Sequence, residues 1–137
     1  MIDKTARVHP TAAVHPTAHI GAKVYVGAGA RVGEGARISS GARIVYGAIV
    51  GNLVRIAPHA CVDAGATVGA EAHIDMWAYV GVRATVGAKA HVGRGAGIGA
   101  GAYVGTRAHI TEGARVSDGA CVDDDAVVDA EVKESTG

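Results

Sequence analysis

His73, His91 and His109 fall eighteen residues apart, and Asp75 stands two places beyond the first of them. Imidazoles bind metals and move protons. One shared metal does not suit this spacing. Parallel side chains leaving strands about 4.8 Å apart would spread over about 10 Å, whereas nitrogens ligating zinc converge to about 2.1 Å. We therefore expect no metal site. The histidine column reads first as a solvated or subunit-facing ladder, second as a source of an acid–base histidine. Cys61 and Cys121 are sixty positions apart, too far along such a stack for a disulfide, and read as free thiols in outward positions. His9, His15, His19 and His59 are expected to serve structure.

The elements that position these residues follow from one period. From Ile2 to Val128 every sixth residue is Val or Ile, without insertion or deletion. Two places before each such post, from Ala6 to Ala126, stands Ala, except at Val24 and Val54. Six does not match a helical face, but it matches a short strand followed by a corner. The post and the small residue two before it point inward, the residues flanking the post point outward, and the remaining two turn. Gly29, Gly35, Gly41, Gly47, Gly65 and Gly95 occupy the corner, where a left-handed backbone is needed. A lone strand of this size buries too little, so the units must wind into a solenoid whose coils cover one another. Outward residues line up at eighteen, as in Gly33, Gly51, Gly69, Gly87 and Gly105, which means three strands per coil, and this flat column of small residues is expected to permit the close approach of another subunit. Every post from Val8 to Val122 is expected to be buried. The expected fold is a triangular, all-β parallel helix of about seven coils of three hexapeptides with no inserted loops. It forms a single domain over residues 1–132, with 133–137 as a tail.

Composition fits a thin β object: no Phe, one Trp and 21 Gly among 137 residues. Arg31, Arg37 and Arg43 are six apart and so lie on three faces, which argues against a nucleic-acid stripe. Formal net charge is zero, but basic residues dominate the first half and acids the second. Asp123, Asp124, Asp125, Asp129 and Glu131 would fall on the last coil, where charge discourages stacking onto another molecule. Neither a leader segment nor a membrane-length apolar run is read, so the expectation is a soluble, cytoplasmic chain without membrane contact. Ice binding would want a Thr ladder, and only Thr67 and Thr85 stack.

The aliphatic post with frequent Gly after it and a small residue four on resembles the hexapeptide-repeat proteins, whose fold is a left-handed parallel β-helix. Handedness comes from that resemblance. The opening "VHPTAAVHPTAHIGAKVYVGAGARVGEGARI" is similar to the start of many acyltransferases of this group. The stretch "IDMWAYVGVRATVGAKAHVGRGAGIG", residues 74–99, resembles the tetrahydrodipicolinate N-succinyltransferases and N-acetyltransferases in Asp75, Trp77, Gly81, Gly87, His91, Gly95, Gly97 and Gly99 among others. The resemblance implies that Asp75 meets the acceptor amine, that Gly95, Gly97 and Gly99 help to bind acetyl-CoA or succinyl-CoA, and that the site lies between subunits of a homotrimer. After Gly99 those enzymes leave the repeat for a segment carrying a catalytic glutamate. This chain continues "AGAYVGTRAHITEGARV", and Glu112, at a corner, does not take that residue's place. The sequence therefore reads first as a structural β-solenoid scaffold, natural or idealised and engineered, with no intact active site and no cofactor. A small CoA-dependent acyltransferase, with Asp75 and His91 as its catalytic residues, is the alternative. In the scaffold reading Trp77 falls at a corner and covers neighbouring side chains.

Overall fold

The computed structural model describes residues 1–132, so the 133–137 tail lies outside the described residues. It contains 22 two-residue strands, from Arg7–Val8 to Glu131–Val132, joined by short turns. All pairings are parallel and build three sheets of eight, seven and seven strands. We call sheet A the one that runs from His19–Ile20 to Val127–Val128, sheet B the one from Arg7–Val8 to Glu131–Val132, and sheet C the one from Ala13–Val14 to Cys121–Val122. Nearly every pairing joins residues eighteen apart, as Val62 with Val80 and His73 with His91. The result is a triangular solenoid of about seven coils. Among the described residues no helix is long and apolar enough to cross a membrane.

The core is the column set expected from the period. Posts from Ile20 to Val128 are buried, as are the alanines two before them up to Ala120, with Ala126 half-buried, and Val24 and Val54 sit inside in the same way. Val8 and Val14 are the exceptions to the expected burial, because they belong to the first coil and only one neighbouring coil covers them. Among the described residues no polar or charged side chain is buried in this core. The period also shortens at the far end. Ile2 makes only an isolated bridge to Ile20, while Val132, four residues after Val128, pairs beneath Val116 as a further post.

The corners explain the glycines. Eighteen successive corners, from Lys23 to Asp125, place one residue in the left-handed region, nine of them glycines and nine of them other residues such as Leu53, His59, Trp77 and Lys89. In most of these corners the amide of that residue donates to a carbonyl of the coil before, as Gly41 does to Ala22 and Gly113 to Arg94. The first coil differs. Thr5, Thr11 and Thr17 take its corner positions without positive φ, and their hydroxyls accept the amides of Lys23, Gly29 and Gly35 in place of carbonyls. His9 and His15 brace two of these corners by accepting the amides of Thr11 and Thr17 on Nδ1.

Two expectations need correction. The column Gly33, Gly51, Gly69, Gly87 and Gly105 is small for a reason within the chain and needs no other subunit to explain it. A Cβ on Gly69 or Gly87 would lie 2.6 Å from the backbone nitrogen of Ala88 or Thr106, so these glycines are set by the close approach of the next coil of the same chain. The acidic end is also more than an exposed charge fringe. Asp118 and Asp124 accept the amides of Ala100 and Thr106, and Asp125 pairs with Arg107 at 2.8 Å.

Candidate functional site

The histidine column forms on sheet A. His73, His91 and His109 occupy the outward place just before Ile74, Val92 and Ile110 on adjacent strands. Their rings stack, with centroids 4.8 and 4.7 Å apart and planes within 2° and 14° of parallel. Among the described residues no three His, Cys, Asp or Glu side chains converge to hold a metal ion. The rings instead lie in series, which is what parallel strands impose.

Asp75 and His91 do come together. Asp75 stands just after the Ile74 post, and its Oδ2 lies 3.7 Å from Nε2 of His91 in the next coil. That separation is too long for a hydrogen bond but is an electrostatic contact when the imidazole is protonated. Oδ1 accepts the Met76 amide at 2.7 Å, which fixes the carboxylate against its own turn. Nε2 of His91 is buried and has no hydrogen-bond partner. A proton-accepting nitrogen beside an anchored carboxylate can act as a base towards a donor that reaches it.

Trp77 sits at the following corner with φ of 64°. Its indole stacks on His59 of the coil before, at 4.5 Å and 13° from parallel, yet remains 59% exposed. The expectation that it covers a neighbour holds, and the neighbour is His59. The three glycines of the same stretch are not gathered around Asp75 and His91. Gly95 lies at the corner above Trp77, and Gly97 and Gly99 flank Ile98 on sheet B, around the corner from the histidines.

Sheet B carries a second cluster that sequence inspection missed. Gly97 leaves the outward column empty between Tyr79 and Arg115, and a Cβ there would meet nothing within 4 Å. The gap opens a groove of ≈ 650 Å³ that Tyr79, Gly99, Arg115 and Asp118 help to line. Below it the Tyr79 hydroxyl donates to Oδ2 of Asp63, and this bond, with burial and the Asp63 charge adding to it, pushes the phenol up to about 12. Burial raises the Cys61 thiol, Asp63 raises it further, and Arg43 opposes both. The available signal was a diagonal. Asp63 to Tyr79 and Asp75 to His91 are both separated by sixteen residues, the offset from just after one post to just before the post of the next coil.

The family model of the GMPPB C-terminal domain matches residues 2–89. The chain belongs to that family. Solved structures place this GMPPB C-terminal-domain member among hexapeptide-repeat acyltransferase folds. The UDP-N-acetylglucosamine acyltransferase of Francisella novicida is 18% identical, with a TM-score of 0.65 over 89% of this chain and 58% of its own. The enzyme of the same name from Campylobacter jejuni is 18% identical, with a TM-score of 0.53 over 98% of this chain and 69% of its own. A hexapeptide transferase family protein from Anaplasma phagocytophilum is 18% identical, with a TM-score of 0.54 over 95% and 72%. At these identities the likeness shows the fold. The chain spans little more than half of the Francisella enzyme. No curated protein matches it in sequence.

Proposed function

We propose that this chain is a structural β-solenoid scaffold of the hexapeptide-repeat type, a rod whose faces present columns of side chains at fixed spacing. The observation that carries the proposal is the corner after Gly99. Gly101 takes the same left-handed turn, φ of 67°, as the corners on either side, and its amide donates to Val82 in the coil before. The place where the resembling transferases carry their catalytic segment is thus built as ordinary repeat. The contacts of Asp75 and Trp77 have structural uses as well, one fixing a turn and the other covering His59.

A second reading rests on one specific observation, the buried and unpartnered Nε2 of His91 beside Asp75. In that reading the chain is a small acyltransferase. His91 accepts a proton from an amine, Asp75 positions that amine, and acetyl-CoA or succinyl-CoA enters as co-substrate between subunits of a homotrimer. Acyl transfer also requires walls that exclude water, which a partner subunit would have to supply.

One experiment separates the two. The parent, Asp75→Asn and His91→Asn are each given acetyl-CoA or succinyl-CoA with an amino-acid acceptor, and thiol release is followed. The scaffold reading expects the same background hydrolysis from all three. Turnover well above background in the parent, lost in both variants with folding intact, replaces it with the acyltransferase.

A further inference from the structure

The outward column of sheet A extends beyond the three histidines. Register pairs put His19 beside Arg37, Arg37 beside Arg55, Arg55 beside His73, and so on through His91 to His109. Six consecutive strands therefore carry Arg or His at one outward place, a ladder about 24 Å long at about 4.8 Å per rung. The three arginines at Arg31, Arg37 and Arg43 lie on separate faces, as expected, but each eighteen-residue column has its own composition, and only this one is basic throughout those six rungs. Beside it, the other outward column of sheet A between Gly21 and Thr111 is nearly flat: Gly21, Ser39, Ala57, Gly93 and Thr111, with Asp75 as its one acid. The ladder stands over a shelf along the prism axis.

We propose that this shelf binds a linear acidic polysaccharide, laid along the axis with its anionic groups against the Arg and His rungs. Cationic rungs attract a polyanion, and a polymer with one carboxylate per sugar repeats its charge at a distance comparable to the rung spacing. The stacked imidazoles cover one another's faces, and Nε2 of His91 is buried, so what the column offers a ligand is the guanidinium groups and the remaining ring edges. Edges carry the N–H donors that carboxylates accept, whereas bases of a single-stranded nucleic acid need open aromatic faces in succession. A single exposed face is present, that of Trp77 at the corner beside the shelf, and it suits stacking against one sugar.

The groups around the imidazoles complete the charge of the shelf. Arg55 lies beside His73, Val127 beside His109, and Asp75 faces His91. The flanking corners carry Glu71, Lys89 and Arg107 on one side and Arg94 and Glu112 on the other, with Arg107 already paired to Asp125. Arg37 and Arg55 give the ladder its permanent charge. The proposal depends on sheet A being open, and so rests on the scaffold reading and not on an acyltransferase whose partner subunit covers Asp75 and His91.

The test measures binding of sodium polygalacturonate by calorimetry and by the fluorescence of the sole tryptophan, with dextran as neutral control and polyuridylate as charged control. Two double variants remove equal charge, Arg37→Gln with Arg55→Gln on the ladder and Arg31→Gln with Arg43→Gln on sheets C and B. We expect salt-sensitive binding of polygalacturonate at pH 5.5. Binding should be lost in the ladder variant, retained in the other, and absent with dextran. No binding at pH 5.5, or equal loss in both variants, overturns the proposal. Tighter binding of polyuridylate that fails only in the ladder variant overturns it in favour of a nucleic-acid surface.

Discussion

The hydroxyl of Tyr79 donates to Oδ2 of Asp63, one coil earlier and across the width of a strand. The bond holds the phenol neutral, with its titration up to about 12. The folded chain therefore keeps a proton that the unfolded chain releases near the ordinary phenol value of about 10. The stability this contributes is fully present below about pH 10 and is lost as pH rises from about 10 to about 12. In tyrosinate absorbance titrations, the difference between the parent and Tyr79→Phe should show one phenol ionising in that upper range. Asp63→Asn should bring it down. A Tyr79 that ionises together with the other three tyrosines would rule out the bond.

Cys61 lies on the same face as Tyr79, and burial followed by the Asp63 charge raises its thiol. Thiolate is the reactive form, so alkylation of Cys61 near neutral pH should be slower than that of a free thiol in solution. Asp63→Asn should speed it. Arg43→Gln, which removes the one charge acting the other way, should slow it. Alkylation of Cys61 faster than the free thiol would place it in an environment unlike the one seen here.

The fold was legible because one periodic constraint governs the whole chain. A buried post every sixth residue admits few arrangements, and the eighteen-residue columns reveal the triangle. The period says nothing about ends, however. Val8 and Val14 emerge half-buried because a first coil has one neighbour instead of two, and Val132 enters the core through a shortened final turn that no six-residue count contains. The candidate site was half legible. Asp75 and His91 were found, and the structure puts them in contact. Gly97 and Gly99, drawn in by resemblance alone, fall on a different face, since two or four residues beyond a corner lie on the next side of the prism. The Asp63 and Tyr79 pair escaped because columns were compared straight up the stack, whereas these side chains lean along the diagonal.

Three glycine substitutions separate the reasons for glycine in this chain. Gly113 has φ of 72° with open space where a Cβ would go, so Gly113→Ala meets only backbone strain, about 1 kcal/mol. Gly87 has no such φ, but a Cβ there would lie 2.6 Å from the Thr106 nitrogen, so Gly87→Ala must push two coils apart at a cost of about 1–3 kcal/mol. Gly97 has neither constraint, and Gly97→Ala should stay within about 0.5 kcal/mol of the parent. Denaturant melts of the three variants check the order. A Gly97→Ala variant as damaged as Gly87→Ala would mean that the sheet B groove is filled by part of the chain.

The last prediction concerns how stability is distributed along the rod. Val68 is central and 1% exposed, with coils above and below, while Val14 is a first-coil post and only half-buried. Each post contacts mainly its neighbours up and down the stack, so stability accumulates coil by coil. Val68→Asp puts an unpaired carboxylate into the apolar interior and should destabilise by about 3 kcal/mol or more. Val14→Asp lets the carboxylate reach water at the open end, and a local opening of the first coil can absorb the damage without breaking the rest. Its melt should shift by less than half as much, with amide exchange accelerated only in the first two coils. Equal destabilisation by the two variants would mean that the end coil is covered as completely as the middle. A Val68→Asp variant that melted with the parent would mean that Val68 does not point inward, and the register of the whole solenoid would have to be redrawn.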